Sequence, residues 1–133
     1  MVVIKLSYNS VIIQEVILRT VGFVGPSGTG KSHRAYWVAR ENNLEYIIDD
    51  GLLIHENSIV AGKSAKKAPT RISSVKVALF MEQEHCEQVK AAIAQCNPQG
   101  ILILGTSDGM VDKIAEALGI GPIIQRINIE DVA

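Results

Sequence analysis

Cysteine is scarce, aromatic side chains are few, and charge of neither sign dominates. Cys86 and Cys96 are the only cysteines, and one shared helix would separate them by about 15 Å along its axis. That distance excludes a bridge between them, so a disulfide-stapled secreted scaffold is not expected and the reducing cytoplasm is. A net charge of −1 supplies no general nucleic-acid surface, which needs a strong basic excess. No apolar run approaches the roughly eighteen residues of a membrane span, because Gln14, Glu15 and Arg19 interrupt the greasiest stretch. The first residues also lack a charged leader followed by an apolar core and a cleavage site, and neither repeats nor low-complexity linkers occur. What remains is one soluble α/β domain spanning 1–133, large enough to bury roughly two thirds of its unfolded surface. Its stop at Ala133, soon after the last apolar segment, admits a fragment of a longer chain.

Glycine, by contrast, is concentrated where it has chemical meaning. Gly25-Pro26-Ser27-Gly28-Thr29-Gly30-Lys31-Ser32 satisfies G-x-x-x-x-G-K-[ST] at every fixed position. The glycines let the backbone curl until its amides point inward as an anion-binding nest. The helix that begins here adds a positive dipole end and unpaired N–H groups. In this pattern Lys31 reaches the β- and γ-phosphates of a nucleotide and the Ser32 hydroxyl takes one Mg²⁺ position. Val21-Gly22-Phe23-Val24 before the loop is a short buried-strand pattern, and His33 to Arg40 contains no Gly or Pro and runs as a helix.

Val2 to Leu6 and Ser10 to Leu18 read as two β segments about a Tyr8-Asn9-Ser10 turn, an N-terminal antiparallel hairpin. Asn42-Asn43 stops the first helix. An apolar strand then ends in Asp49-Asp50-Gly51. Ligands gather at the carboxyl ends of parallel strands, so one of these carboxylates is expected to organise Mg²⁺ and the other to orient or deprotonate an attacking hydroxyl or water. Leu52 to Gly62 is a second hairpin turning at Glu56-Asn57, with His55 an exposed hairpin residue. Lys63, Lys66, Lys67 and Arg71 form either a solvated loop or a mobile segment that closes cations over phosphate. Ser73 to Gln95 is helical, with a break near Phe80-Met81 and a packing stripe of Val75, Leu79, Val89 and Ile93. His85 and both cysteines belong to that structure. Ile101 to Leu104 is a second fully buried strand. After it, Asp108 competes as metal organiser, although Gly105 takes the position such an Asp usually holds. Thr106 and Ser107 either sense a terminal phosphate or cap the helix from Gly109 to Leu118. Ile123 to Ile129 is the last strand. Strands alternating with helices predict a three-layer, mostly parallel sheet.

Over about Val21 to Gly62 the chain resembles P-loop nucleotide-binding proteins. It is most similar to the branch of bacterial HPr kinase/phosphorylase, whose loop also reads Gly-x-Ser-Gly-x-Gly-Lys-Ser and whose next strand also ends in two aspartates. It is similar, too, to short bacterial P-loop ATP-binding proteins with a Gly-Lys-Ser-Ala-Lys stretch like Gly62 to Lys66. The resemblance implies phosphate and Mg²⁺ roles for Lys31 and Ser32, and metal and base roles for Asp49 and Asp50. That kinase carries a catalytic histidine upstream of its loop, whereas the first histidine here is His33. The Leu-Ser-Gly-Gly-Gln signature of ABC-type ATPases is absent. The function expected is therefore binding of ATP or GTP with Mg²⁺ by Gly25 to Ser32, leading to an ATPase or nucleotide switch that a partner protein reads. A phosphotransferase acting on an unknown acceptor and a non-hydrolysing binding module are the alternatives.

Overall fold

A computed structural model describes residues 2–5 and 14–132. Eight strands and four α-helices follow in the order β1 (Val2–Lys5), β2 (Gln14–Ile17), β3 (Arg19–Val24), α1 (Lys31–Glu41), β4 (Tyr46–Asp49), β5 (Leu52–His55), β6 (Ser58–Gly62), α2 (Arg71–Ala78), α3 (Gln83–Cys96), β7 (Gly100–Gly105), α4 (Asp108–Leu118) and β8 (Gln125–Asn128). β1 and β2 pair antiparallel, Val2 opposite Ile17, as the expected hairpin requires. The Tyr8-Asn9-Ser10 turn lies outside the described residues. None of the described helices is long and apolar enough to cross a membrane.

The other six strands make one sheet in the order β6-β5-β4-β7-β3-β8. β7 is at its centre, and all six of its residues are buried, as a strand covered on both faces must be. Its alternate side chains enter two cores. Ile101 and Ile103 join Val111, Ile114, Ala115 and Leu118 of α4 and Val89 and Ile93 of α3. Leu102 and Leu104 join Ala35, Val38 and Ala39 of α1, with Val21 and Phe23 of β3. The α4 residues recur at i, i+3, i+4 and i+7, the spacing of one helix face. Helices therefore cover both faces of the sheet.

The sheet is mixed, not mostly parallel. β4, β7, β3 and β8 run parallel, while β5 and β6 are antiparallel additions at one edge. The reason is local. Asp50 and Gly51 both take positive φ, 57° and 84°, so β4 reverses through a two-residue turn, and a connection that short can only join antiparallel strands. Glu56 and Asn57 repeat the device at φ 49° and 67° between β5 and β6.

Elsewhere the helix boundaries fall close to expectation. Asn42 caps the end of α1, and Phe80 with φ 56° separates α2 from α3. Val75 is 49% exposed, so the packing stripe there is carried by buried Val77 instead. β8 is shorter than the apolar run implied, because Ile129–Asp131 turns into a 3-10 segment that sends Ile129 into the α1 core. His55 stacks on Tyr46 with ring centroids 4.6 Å apart. Cys86 donates to the Ala117 carbonyl at 3.3 Å, and both cysteines are free.

Gly51 tolerates no side chain. A Cβ there would collide with the Lys63 carbonyl and come within 2.8 Å of Val77 Cγ1, in addition to its left-handed backbone. Gly51→Ala is expected to destabilise the fold by about 2 to 4 kcal/mol in urea unfolding; a loss below about 0.5 kcal/mol would mean that this turn is not under the constraint described.

Candidate functional site

The crossover from β3 through α1 to β4 passes over one face of the sheet, and the crossover from β7 through α4 to β8 returns over the other. Where connections diverge in this way a crevice opens outside the carboxyl ends of the strands. Here it lies beyond β3, β7 and β4, a cleft of about 480 Å³ lined by Ser27, Gly28, Gly30, Lys31, Ser32 and His33 from the loop and α1, by Asp49 and Asp50 at the end of β4, and by Leu104, Gly105 and Thr106 at the end of β7. Lys66, Ala78 and Met110 complete its walls.

Residues 26–30 are exposed. Gly28 and Gly30 adopt φ 78° and 81°, and no atom lies within 4 Å of where a Cβ would stand on either. Glycine is thus demanded by backbone conformation rather than by crowding, and the space beside both residues is open. Gly30 forms the N-terminal boundary of α1, its carbonyl accepting from the Arg34 amide at 3.0 Å. The loop is braced from within, since the Pro26 carbonyl accepts from Thr29 Oγ1 at 2.6 Å and from Lys31 Nζ at 3.1 Å. Gly25 plays a packing role. Its amide donates to the Gly105 carbonyl at 3.2 Å, and a Cβ on it would overlap Ile129. Of the eight loop residues expected at the site, five line the cleft; Gly25, Pro26 and Thr29 shape it from outside.

The two adjacent aspartates are not equivalent. Asp49 ends β4 and is the carboxylate whose charge is felt by Lys31. Partial burial holds the Lys31 ammonium below its ordinary range, and the attraction of Asp49 opposes that shift. Asp50 lines the cleft as well, but its carboxylate accepts from the Ser64 hydroxyl and from the Lys66 amide at 3.3 Å, and its carbonyl accepts from the Ala65 amide at 2.9 Å. It ties the segment after β6 to the end of β4. Below the turn, buried His85 bonds the Gly51 carbonyl through Nε2 at 2.8 Å and stacks on Phe80.

Asp108, the alternative metal organiser, is not among the residues lining the cleft. It pairs with Arg126 at 3.4 Å, beside the stronger Arg126–Asp112 contact at 2.6 Å, which raises the guanidinium's already high pKa. Ser107 caps α4 by accepting from the Met110 amide at 3.1 Å, leaving Thr106 as the member of that pair in the cleft wall. The basic segment is divided: Lys63 forms an exposed pair with Glu82 at 2.7 Å, while Lys66 lines the cleft. Sequence reasoning missed His33, Ala78 and Met110. His33 directly follows the motif and could have been placed there; Ala78 and Met110 arrive only through tertiary packing.

Among the described residues no three His, Cys, Asp or Glu side chains gather to form a self-sufficient metal cage. Among the oxygen donors lining the cleft, the Ser32 hydroxyl and the Asp49 carboxylate are of the hard type that Mg²⁺ takes, one or two from protein and the rest from water or phosphate.

No protein-family model, curated protein or solved structure matches this chain. The functional reading therefore rests on the chemistry of the cleft.

The lowered Lys31 pKa has a measurable sign. A partly desolvated ammonium disfavours the folded state wherever it is charged, and the penalty is relieved as pH rises from the folded value through 10.5, the unfolded one. Lys31→Met is accordingly expected to melt no lower than the parent at pH 7, with any gain shrinking toward pH 10.5. A Lys31→Met protein markedly less stable at pH 7 would contradict this assignment.

Proposed function

We propose that the chain binds the phosphate tail of a nucleoside triphosphate, ATP or GTP, in the cleft beyond β3, β7 and β4, and acts as a Mg²⁺-dependent ATPase or nucleotide switch of P-loop NTPase type. One observation carries this reading: a loop with two left-handed glycines and a helix start opens into the same cleft as Lys31, Ser32 and Asp49.

The backbone amides around Gly28 to Ser32 would donate to phosphate oxygens, with the dipole of α1 adding positive potential at the same point. Lys31 would leave its contact with the Pro26 carbonyl for the β- and γ-phosphates. Ser32 and Asp49 would hold Mg²⁺, which when bound offsets the charge of the tail. Water entering the open side of the cleft would be oriented by Asp50, the carboxylate that does not hold Mg²⁺, toward the terminal phosphate; as its oxygen bonds to phosphorus the bond to the bridging oxygen breaks, the diphosphate leaves, and the proton passes to that carboxylate.

Incubation of the purified protein with Mg-ATP tests the proposal. ADP formed without an added acceptor is the expected result, with about a hundredfold lower turnover in Asp49→Asn, which loses a Mg²⁺ ligand. Saturable binding with no ADP would reduce the function to a binding module. Release of ADP only when cell extract is added would make it a phosphotransferase, and absence of binding to ATP and GTP alike would overturn the reading.

A further inference from the structure

We infer that Lys66 is a second phosphate-binding cation of this cleft, and that Asp50 is a positioning residue that holds it there. The inference rests on the nucleotide reading above and extends it to how the length of the phosphate chain is recognised.

Charge in the cleft is the starting point. Lys31 alone is outnumbered by the carboxylates of Asp49 and Asp50, all three lining one space. A polyanionic tail entering there would meet a deficit of positive charge from the protein. Lys66 restores the balance. It lines the same cleft, and among the described residues it forms no ion pair, whereas Lys63 three positions earlier is paired with Glu82. Lys66 is thus available to a ligand in a way that Lys63 is not.

Its backbone, moreover, is pinned. Asp50 receives the Lys66 amide at 3.3 Å and the Ser64 hydroxyl; Ser64 Oγ in turn accepts from the Lys66 amide at 3.2 Å. Ala65 is buried and bonded to the Asp50 carbonyl. The Asp50-Gly51 turn is itself locked by His85 from below and by close backbone approach to Gly62. Main-chain order is therefore present before any ligand arrives, and only the lysine side chain has to be immobilised on binding, which lowers the entropic cost of recruiting a cation. The Asp50 carboxylate acts on the lysine's amide, so the ammonium remains free for phosphate. Because Lys31 and Lys66 reach the cleft from different elements, α1 and the segment after β6, a short phosphate chain held at the glycine loop would engage Lys31 first, and a longer one would engage both.

Titration calorimetry with Mg-ATP, ADP and AMP on the parent and six variants, with melting of the free forms alongside, tests this. Lys66→Ala is expected to weaken ATP binding about tenfold and AMP binding hardly at all, without lowering the melting temperature. Lys66→Arg should recover most of the loss. Asp50→Gly, which a left-handed turn position accommodates, removes the acceptor that pins the Lys66 amide and should also weaken ATP, whereas the Asp50→Gly/Lys66→Ala double variant, in which only the lost negative charge counts, should be no weaker than Lys66→Ala. Lys67→Ala should bind like the parent. ATP affinity unchanged in Lys66→Ala but lost in Lys31→Ala would overturn the role of Lys66 while leaving the nucleotide reading intact. Losses that add in the double variant would overturn the positioning role of Asp50. A parent protein that binds no nucleotide would overturn both.

Discussion

A strand buried along its whole length imposes the architecture. Gly100 to Gly105 exposes none of its residues, so both faces of the sheet must be covered, and one chain can do that only by sending its connections in opposite directions. α1 therefore packs on Leu102 and Leu104, and α4 on Ile101 and Ile103. The divergence of those two connections opens the crevice at the carboxyl ends of the strands. In this sense the site is a consequence of core packing. The glycine loop, the acidic end of β4 and Thr106 converge because each is the first thing its strand reaches on leaving the core.

The turn at Asp50 and Gly51 then shapes that crevice. By reversing β4 with left-handed backbone it converts a strand end into a hairpin corner, and the hairpin brings the chain back to the cleft at Ser64 to Lys66. A longer connection would have released the carboxylates into a flexible loop. The tight turn fixes them in different surroundings instead: Asp49 at the end of the strand within the field of Lys31, and Asp50 bonded to the returning chain. Two neighbours of identical chemistry acquire different surroundings from one pair of backbone dihedrals, and His85 beneath them bonds the corner at Gly51.

Much of this was legible in the residues. The glycine spacing located the loop and the start of α1, the unbroken apolar run at 101–104 located the central strand, and the pairs Asn42-Asn43 and Glu56-Asn57 marked a helix end and a hairpin turn. The Asp50-Gly51 pair was equally readable as a hairpin turn, but the carboxylates of Asp49 and Asp50 read first as chemistry, and the mixed character of the sheet was not expected. The allotment of Asp108 to Arg126 and of Lys63 to Glu82 could not be read at all, because those partners lie 18 and 19 residues away along the chain and meet only through tertiary packing. Val75 misled for a simpler reason: α2 is short and largely exposed, so its apolar residues do not report one buried face.

The central claim is that backbone amides of the loop between β3 and α1 receive phosphate oxygens, and amide chemical shifts report this most directly. In a ¹⁵N-labelled sample titrated with Mg-ATP, the largest changes are expected at Gly28, Gly30, Lys31 and Ser32, saturating together, with smaller ones near Asp49 and Lys66. Changes confined to another surface, such as the groove beside Arg34, Trp37 and Asp131, or a spectrum unmoved by millimolar nucleotide, would contradict it.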